Sequence, residues 1–126
     1  MTDAALALGR DGEECAVGFL QARGYRILLR NYRNKLGEID IIARDAGVLC
    51  FVEVKSRASE KRGEGLEAVA FPKQRQIAKA ALGFLKQRRL FGSRARFDVV
   101  SVTFGSGEPE IKLVKNAFEL EGRFSP

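Results

Sequence analysis

Asp40, Glu53 and Lys55 are the residues of this chain best suited by type and spacing to do chemistry. They stand in two strings, Gly37-Glu38-Ile39-Asp40-Ile41-Ile42-Ala43 and Phe51-Val52-Glu53-Val54-Lys55-Ser56-Arg57, whose alternation has the period of two expected of strands. Asp45-Ala46-Gly47 between them reads as a hairpin turn. A hairpin centred between Ala46 and Gly47 sets Asp40 opposite Glu53 and Glu38 opposite Lys55. Directly opposed side chains have Cβ atoms about 5 Å apart, and like charges held there repel unless something lies between them. A divalent cation is one such partner, because it takes hard oxygen ligands and turns the repulsion into affinity. A structural ion-pair cluster, with Lys55 neutralising either acid, is the other.

The same hairpin face carries Ile42, Leu49 and Phe51, which need cover, and the first helix is the expected lid. That helix, from about Thr2 to Ala22, repeats Leu6, Gly9, Glu13, Ala16, Val17 and Leu20 at spacings of three and four. Glu13 is the odd member. A carboxylate on a buried stripe is costly unless it is paired or ligates a metal, so Glu13 joins the candidate site.

The remaining elements follow from pattern. Gly24 stops the first helix, and Tyr25 to Tyr32 is a strand. Gly37 to Arg44 and Val48 to Ser56 are the hairpin strands, the first with Ile39, Ile41 and Ala43 on one side. Arg57 to Ala70, charged and holding Gly63 and Gly65, reads as a mobile loop. Pro72 suits the first turn of a second helix running to about Arg89, with Ile77, Ala78, Ala81, Leu82, Phe84 and Leu85 inward. Ala95 to Phe104 is apolar on both faces and so central, and Glu110 to Lys115 is a last strand. The 126 residues fit a single domain, 1–126, with 116–126 as a tail. This order specifies an α/β fold with a mixed sheet flanked by helices, the second helix returning the chain parallel to the third strand.

Composition narrows the chemistry. The chain has no histidine, which removes serine triads, histidine-paired cysteine nucleophiles and imidazole-ligated zinc. Acid/base work falls to Asp, Glu, Lys or Tyr, and oxygen-ligated magnesium or manganese stays open. Two cysteines make no disulfide framework, and the first residues lack the pattern of a secretory leader or membrane span, so the expectation is a cytoplasmic protein without a membrane partner. Nothing in the chain forbids a homodimer.

The net charge of +6 is concentrated: Phe71 to Arg96 holds eight Lys or Arg and no acid, while the other 100 residues carry 14 basic and 16 acidic side chains. A second run, Arg23, Arg26, Arg30, Arg33 and Lys35, has no intervening acid. Such clustering is the footprint of a protein that meets phosphates, although a solvated basic face would look the same. On the second helix Arg75, Lys79 and Lys86 line one flank over about 16 Å, enough to follow two or three phosphates of one strand. Arg57, Lys73 and Gln74 complete the expected contacts to DNA or another nucleic acid.

The two hairpin strings together resemble the D…ExK signature of the PD-(D/E)XK nuclease superfamily. Within it the chain is similar to the bacterial YraN family, related in fold to archaeal Holliday junction resolvases. Gly9 to Glu13, Gly24-Tyr25, Lys73-Gln74 and Arg96-Phe97-Asp98-Val99-Val100 extend the likeness over most of the chain. The resemblance implies a restriction-endonuclease-like αβββαβ core and a Mg2+- or Mn2+-dependent endonuclease acting on DNA, branched or processed ends included. It implies Asp40, Glu53 and the Val54 carbonyl as metal ligands, Glu13 as an acid reaching the metal through water, and Lys55 as the group that orients and activates the attacking water. Phosphodiester hydrolysis needs a Lewis acid, a nucleophile and a counter-charge, which a metal and one lysine supply without histidine. Glu38 is expected to pair with Lys55 or Arg57, Asp98 to be a structural carboxylate paired with an arginine of the first strand, and Cys50 to be core. A non-catalytic nucleic-acid-binding module of the same fold, and a protein that meets an acidic protein partner through its basic helix, are the alternatives.

Overall fold

The computed structural model describes residues 3–58 and 71–118; the expected loop falls largely outside these residues, as does the end of the tail. The order is α1 (Asp3–Ala22), β1 (Arg26–Asn34), β2 (Gly37–Asp45), β3 (Val48–Arg57), α2 (Phe71–Gln87), β4 (Ala95–Thr103) and β5 (Glu110–Val114). The strands form one sheet in sequence order, antiparallel except for the parallel pair β3 and β4. A mixed sheet with one helix on each face is the α/β restriction-endonuclease-like core that the sequence implies.

Local chemistry explains the element ends. α1 closes with Gly24 at φ +89°, where the Gly24 and Tyr25 N–H groups donate to the carbonyls of Gln21 and Leu20, a Schellman closure that glycine adopts without strain. α2 closes the same way on Arg89 at φ +55°, with the Leu90 N–H donating to the Leu85 carbonyl. The β2–β3 turn is the two residues Ala46 and Gly47, both at positive φ, which is the primed hairpin geometry. The register Asp45↔Val48 through Ile41↔Val52 is the one expected from the sequence.

Two cores sandwich the sheet. One is α2 on the face bearing Ile42, Leu49, Phe51, Phe97 and Val99, with Phe84 edge-on to both Phe51 and Tyr32. The other is Ala16 and Leu20 of α1 on Ile41, Ala43, Cys50, Val52, Val100 and Val102. The lid over Ile42, Leu49 and Phe51 is therefore α2, not α1 as expected: the two helices share the sheet by side-chain parity, and even positions of β3 belong to α1. On α2, Ala80 is fully buried while Leu82 is only partly so. The tail begins later than expected, because the Ala117 N–H donates to the Phe97 carbonyl and Phe118 stacks on Phe97 at 4.7 Å.

Candidate functional site

The site begins where strict alternation fails. Ile39 belongs to the α2-side core and Ile41 to the α1-side core, although residues two apart on a strand should share a face. The change of phase falls at Asp40. The β1–β2 ladder steps from Arg30↔Ile41 to Tyr32↔Ile39 over Asn31 and Asp40, and Asn31 has φ +53°, a conformation Asn tolerates better than most residues. Ile39 therefore leaves the side expected for it, and Asp40 sits at the local break in the sheet.

Beyond Ile41↔Val52 the Asp40 carboxylate itself bridges to β3: its Oδ2 accepts the Val54 N–H at 2.8 Å. Its neighbour is the Glu53 carboxylate, to which it is hydrogen-bonded. Both are largely buried, and both are shifted. Burial raises the Asp40 carboxyl above the ordinary range, opposed by the Val54 N–H and by Glu53. Burial and then the Asp40 charge push Glu53 up to about 8. With both carboxyls raised, the pair resists carrying two negative charges and favours a shared proton.

Lys73, Glu13 and Glu38 add their charges around the pair. Lys73, at the start of α2, has its Nζ 3.8 Å from Glu53 Oε2. Lys73 is thus a partner of the acids as well as a candidate phosphate contact, a role its sequence position did not reveal. Glu13, half-buried on α1, is raised first by burial and then by Asp40, while Arg30 and a hydrogen bond from Asn31 lower it. Arg30 meets Glu14 at 2.8 Å and Glu13 at 3.9 Å. Glu13 is brought in by Gly12, where α1 lies so close to β3 that a Cβ would come within 2.8 Å of the Ser56 Cβ.

Lys55 and Glu53 line an open cleft of about 510 Å³, whose wall continues through Val54, Ser56 and Arg57 to Leu8 of α1. The donor set fits a hard divalent cation: carboxylate oxygens, one of Asp40's already used by Val54, and no sulfur or imidazole. Among the described residues no group of three or more His, Cys, Asp or Glu side chains is close enough to hold a metal, so a cation on the pair would need backbone oxygen or water to complete its ligands.

Other expectations are redistributed. Glu38 pairs with its cross-strand neighbour Arg33 at 2.8 Å. Asp98 is fully buried and structural, but its arginine is Arg96 of its own strand, joined by Tyr25 Oη and the Asn116 N–H, all at 2.9 Å. Arg96 and Lys115 also reach Asp45. Cys50 is fully buried in the α1-side core, and that burial pushes its thiol up to about 12. Arg75, Lys79 and Lys86 are exposed along α2, which begins at the acid pair; Gln74 lies on the same first turn, half-buried.

An α/β protein with a paired, proton-sharing acid site on a mixed sheet is the class that fold and site define. By sequence comparison, the family model described as "Uncharacterised protein family UPF0102" matches residues 12–102, and the chain belongs to that family. The chain is similar to a "UPF0102 protein" of Geobacter metallireducens, 50% identical over 114 residues that cover 90% of this chain and 93% of the relative. One from Syntrophus aciditrophicus is 50% identical over 115 residues, 91% of each chain. A third, from Clostridium kluyveri, is 43% identical over 115 residues, 90% and 94% of the two. These descriptions state no activity, and function is read from the site. Among the described residues no helix is long and apolar enough to cross a membrane.

Proposed function

We propose that this protein binds nucleic acid and hydrolyses phosphodiester bonds in DNA, branched or processed DNA among its substrates, with Mg2+ or Mn2+ held by Asp40, Glu53 and the Val54 carbonyl. The observation that carries this reading is the buried pair itself: two carboxylates are kept side by side at the cost of a proton, with one lysine 3.8 Å away. The metal, when bound, supplies Lewis acidity at the scissile phosphate and lowers the pKa of a bound water. Asp40 is fixed for this by the Val54 N–H. Lys55 offers an ammonium on the cleft wall to orient the attacking water and to counter the charge on the phosphate. Glu13 adds a third, more distant acid that can hold a water. The exposed flank of α2 meets the phosphates beyond the cleavage point.

The absence of a third close acid among the described residues favours a second reading, a nucleic-acid-binding module that keeps the pair without turnover. Incubation of the protein with supercoiled, linear, single-stranded and four-way DNA, in Mg2+, Mn2+ or chelator, separates the two. Metal-dependent cleavage that disappears in Asp40→Asn and falls at least about a hundredfold in Lys55→Ala supports the nuclease. Binding without cleavage in any metal leaves the module, and the lack of both removes the reading.

A further inference from the structure

Leu28 and Leu36 are the exposed large hydrophobic side chains among the described residues, and Leu36, half open to solvent, sits at the tip of the β1–β2 hairpin. A lone exposed leucine means little. This one is held on a rigid mount. The Asn34 side chain donates to the Ala80 carbonyl of α2 and to Tyr32 Oη, both at 3.1 Å, and accepts the Leu36 N–H at 2.9 Å. A Cβ at Gly83 would lie 2.7 Å from Asn34 Nδ2, and one at Gly37 3.0 Å from the Gln76 carbonyl, so glycine lets the Asn34 side chain seat against α2 and the hairpin tip approach the helix backbone. Beside the tip lies an open cleft of about 330 Å³ whose wall includes Arg33, Lys35, Leu36, Glu38 and Lys73. Three cations and one acid make it suited to a polyanion. Lys73 belongs both to this cleft and to the acid pair, so whatever fills the cleft lies next to the proposed scissile phosphate.

We propose that this tip is a second nucleic-acid contact, which seats a nucleotide whose base has left the stack. Lys35 and Lys73 meet its phosphate, and Leu36 packs against the exposed base. The proposal rests on the reading of the protein as one that binds nucleic acid, and adds that an interrupted base stack is preferred over an intact duplex. Apolar side chains on rigid supports act as wedges at unstacked steps, and a base already unpaired removes most of the cost. Arg33, held by Glu38, is available to a phosphate that outcompetes that acid.

The test is anisotropy of the full chain with a continuous duplex and with the same duplex carrying a short gap, 2-aminopurine replacing the unpaired base, in chelator. Wild type is expected to prefer the gapped duplex and to change the 2-aminopurine emission. Leu36→Gln is expected to weaken binding about tenfold on the gapped duplex only, and to abolish the emission change; Leu28→Ala, an exposed leucine of β1 away from the tip, should behave as wild type. Leu36→Ala and an unchanged melting temperature guard against misfolding. Equal wild-type affinity for the two duplexes, or an equal effect of Leu36→Gln on both, overturns the proposal while nucleic-acid binding stands. Selective gapped binding without metal-dependent cleavage removes the nuclease reading and leaves this one intact. Failure to bind either duplex overturns both.

Discussion

Burying Asp40 beside Glu53 makes the metal-free protein less stable as pH rises. Glu53 is raised from its ordinary 4.5 to about 8, so below 4.5 it is protonated whether folded or unfolded and costs nothing. Between 4.5 and 8 the unfolded chain releases the proton and the folded one keeps it, so stability falls across that window and levels off above it. Asp40 and Glu13, shifted in the same direction, add to the fall. Glu53→Gln, which mimics the protonated acid, is expected to raise the melting temperature of metal-free protein at about pH 8 and to change little at about pH 4.5. Asp98 behaves oppositely to a site residue: Asp98→Ala leaves Arg96 only Asp45 and Tyr25 and takes the acceptor from the Tyr25 hydroxyl and the Asn116 N–H, and is expected to cost about 3–5 kcal/mol in denaturant unfolding, with no selective effect on metal response. The acid pair was legible in the sequence because the two-residue turn fixes the hairpin register and so which stretches of β2 and β3 come together. Lys73 and Asn31 were not, since one reaches the acids from a different element and the other acts through a positive φ that a single Asn only hints at.

Elements place the site through close approaches that only small residues allow. Gly12→Ala is expected to push α1 away from Ser56 at a cost of about 1–3 kcal/mol, partly recovered in the double variant with Ser56→Gly, as read by thermal unfolding. Ala46 and Arg89, non-asparagine residues held in left-handed turns, offer the reverse. Ala46→Asn and Arg89→Gly replace strained residues at φ +50° and +55° with ones that accept that conformation, and each is expected to stabilise by about 0.5–1 kcal/mol. Strand and helix positions were readable from periodicity to within a few residues at each end. The assignment of helix to face was not. Parity says which residues share a face, but nothing in a strand's own sequence says which helix will cover it, so α1 and α2 were exchanged over the Ile42, Leu49 and Phe51 face. The phase change at Asp40 was equally hidden, because its apolar neighbours Ile39 and Ile41 satisfy either face.

Charge over the whole molecule is less available than its sequence total suggests. Arg30 and Arg33 of the second basic run are paired with acids, and within the 71–96 segment Arg96 serves the Asp98 cluster and Lys73 faces Glu53. The α2 flank keeps its exposure. Replacing Arg75, Lys79 and Lys86 together with Gln is expected to weaken DNA binding on every sequence and to lower the salt slope by about 0.9 for each duplex phosphate that is no longer neutralised, measured by titration from low to physiological salt. Cleavage at saturating DNA should persist, because those side chains lie along the helix beyond the acid pair. The proposed metal is the part on which the rest depends, and its binding would be coupled to the proton that burial favours on the acid pair. Calorimetric titration of Mn2+ into the protein at about pH 7, in two buffers of different ionisation heat, tests it most directly: one site that releases about one proton and is abolished in Asp40→Asn is expected. No heat of binding, or equal binding and proton release in Asp40→Asn, would contradict it.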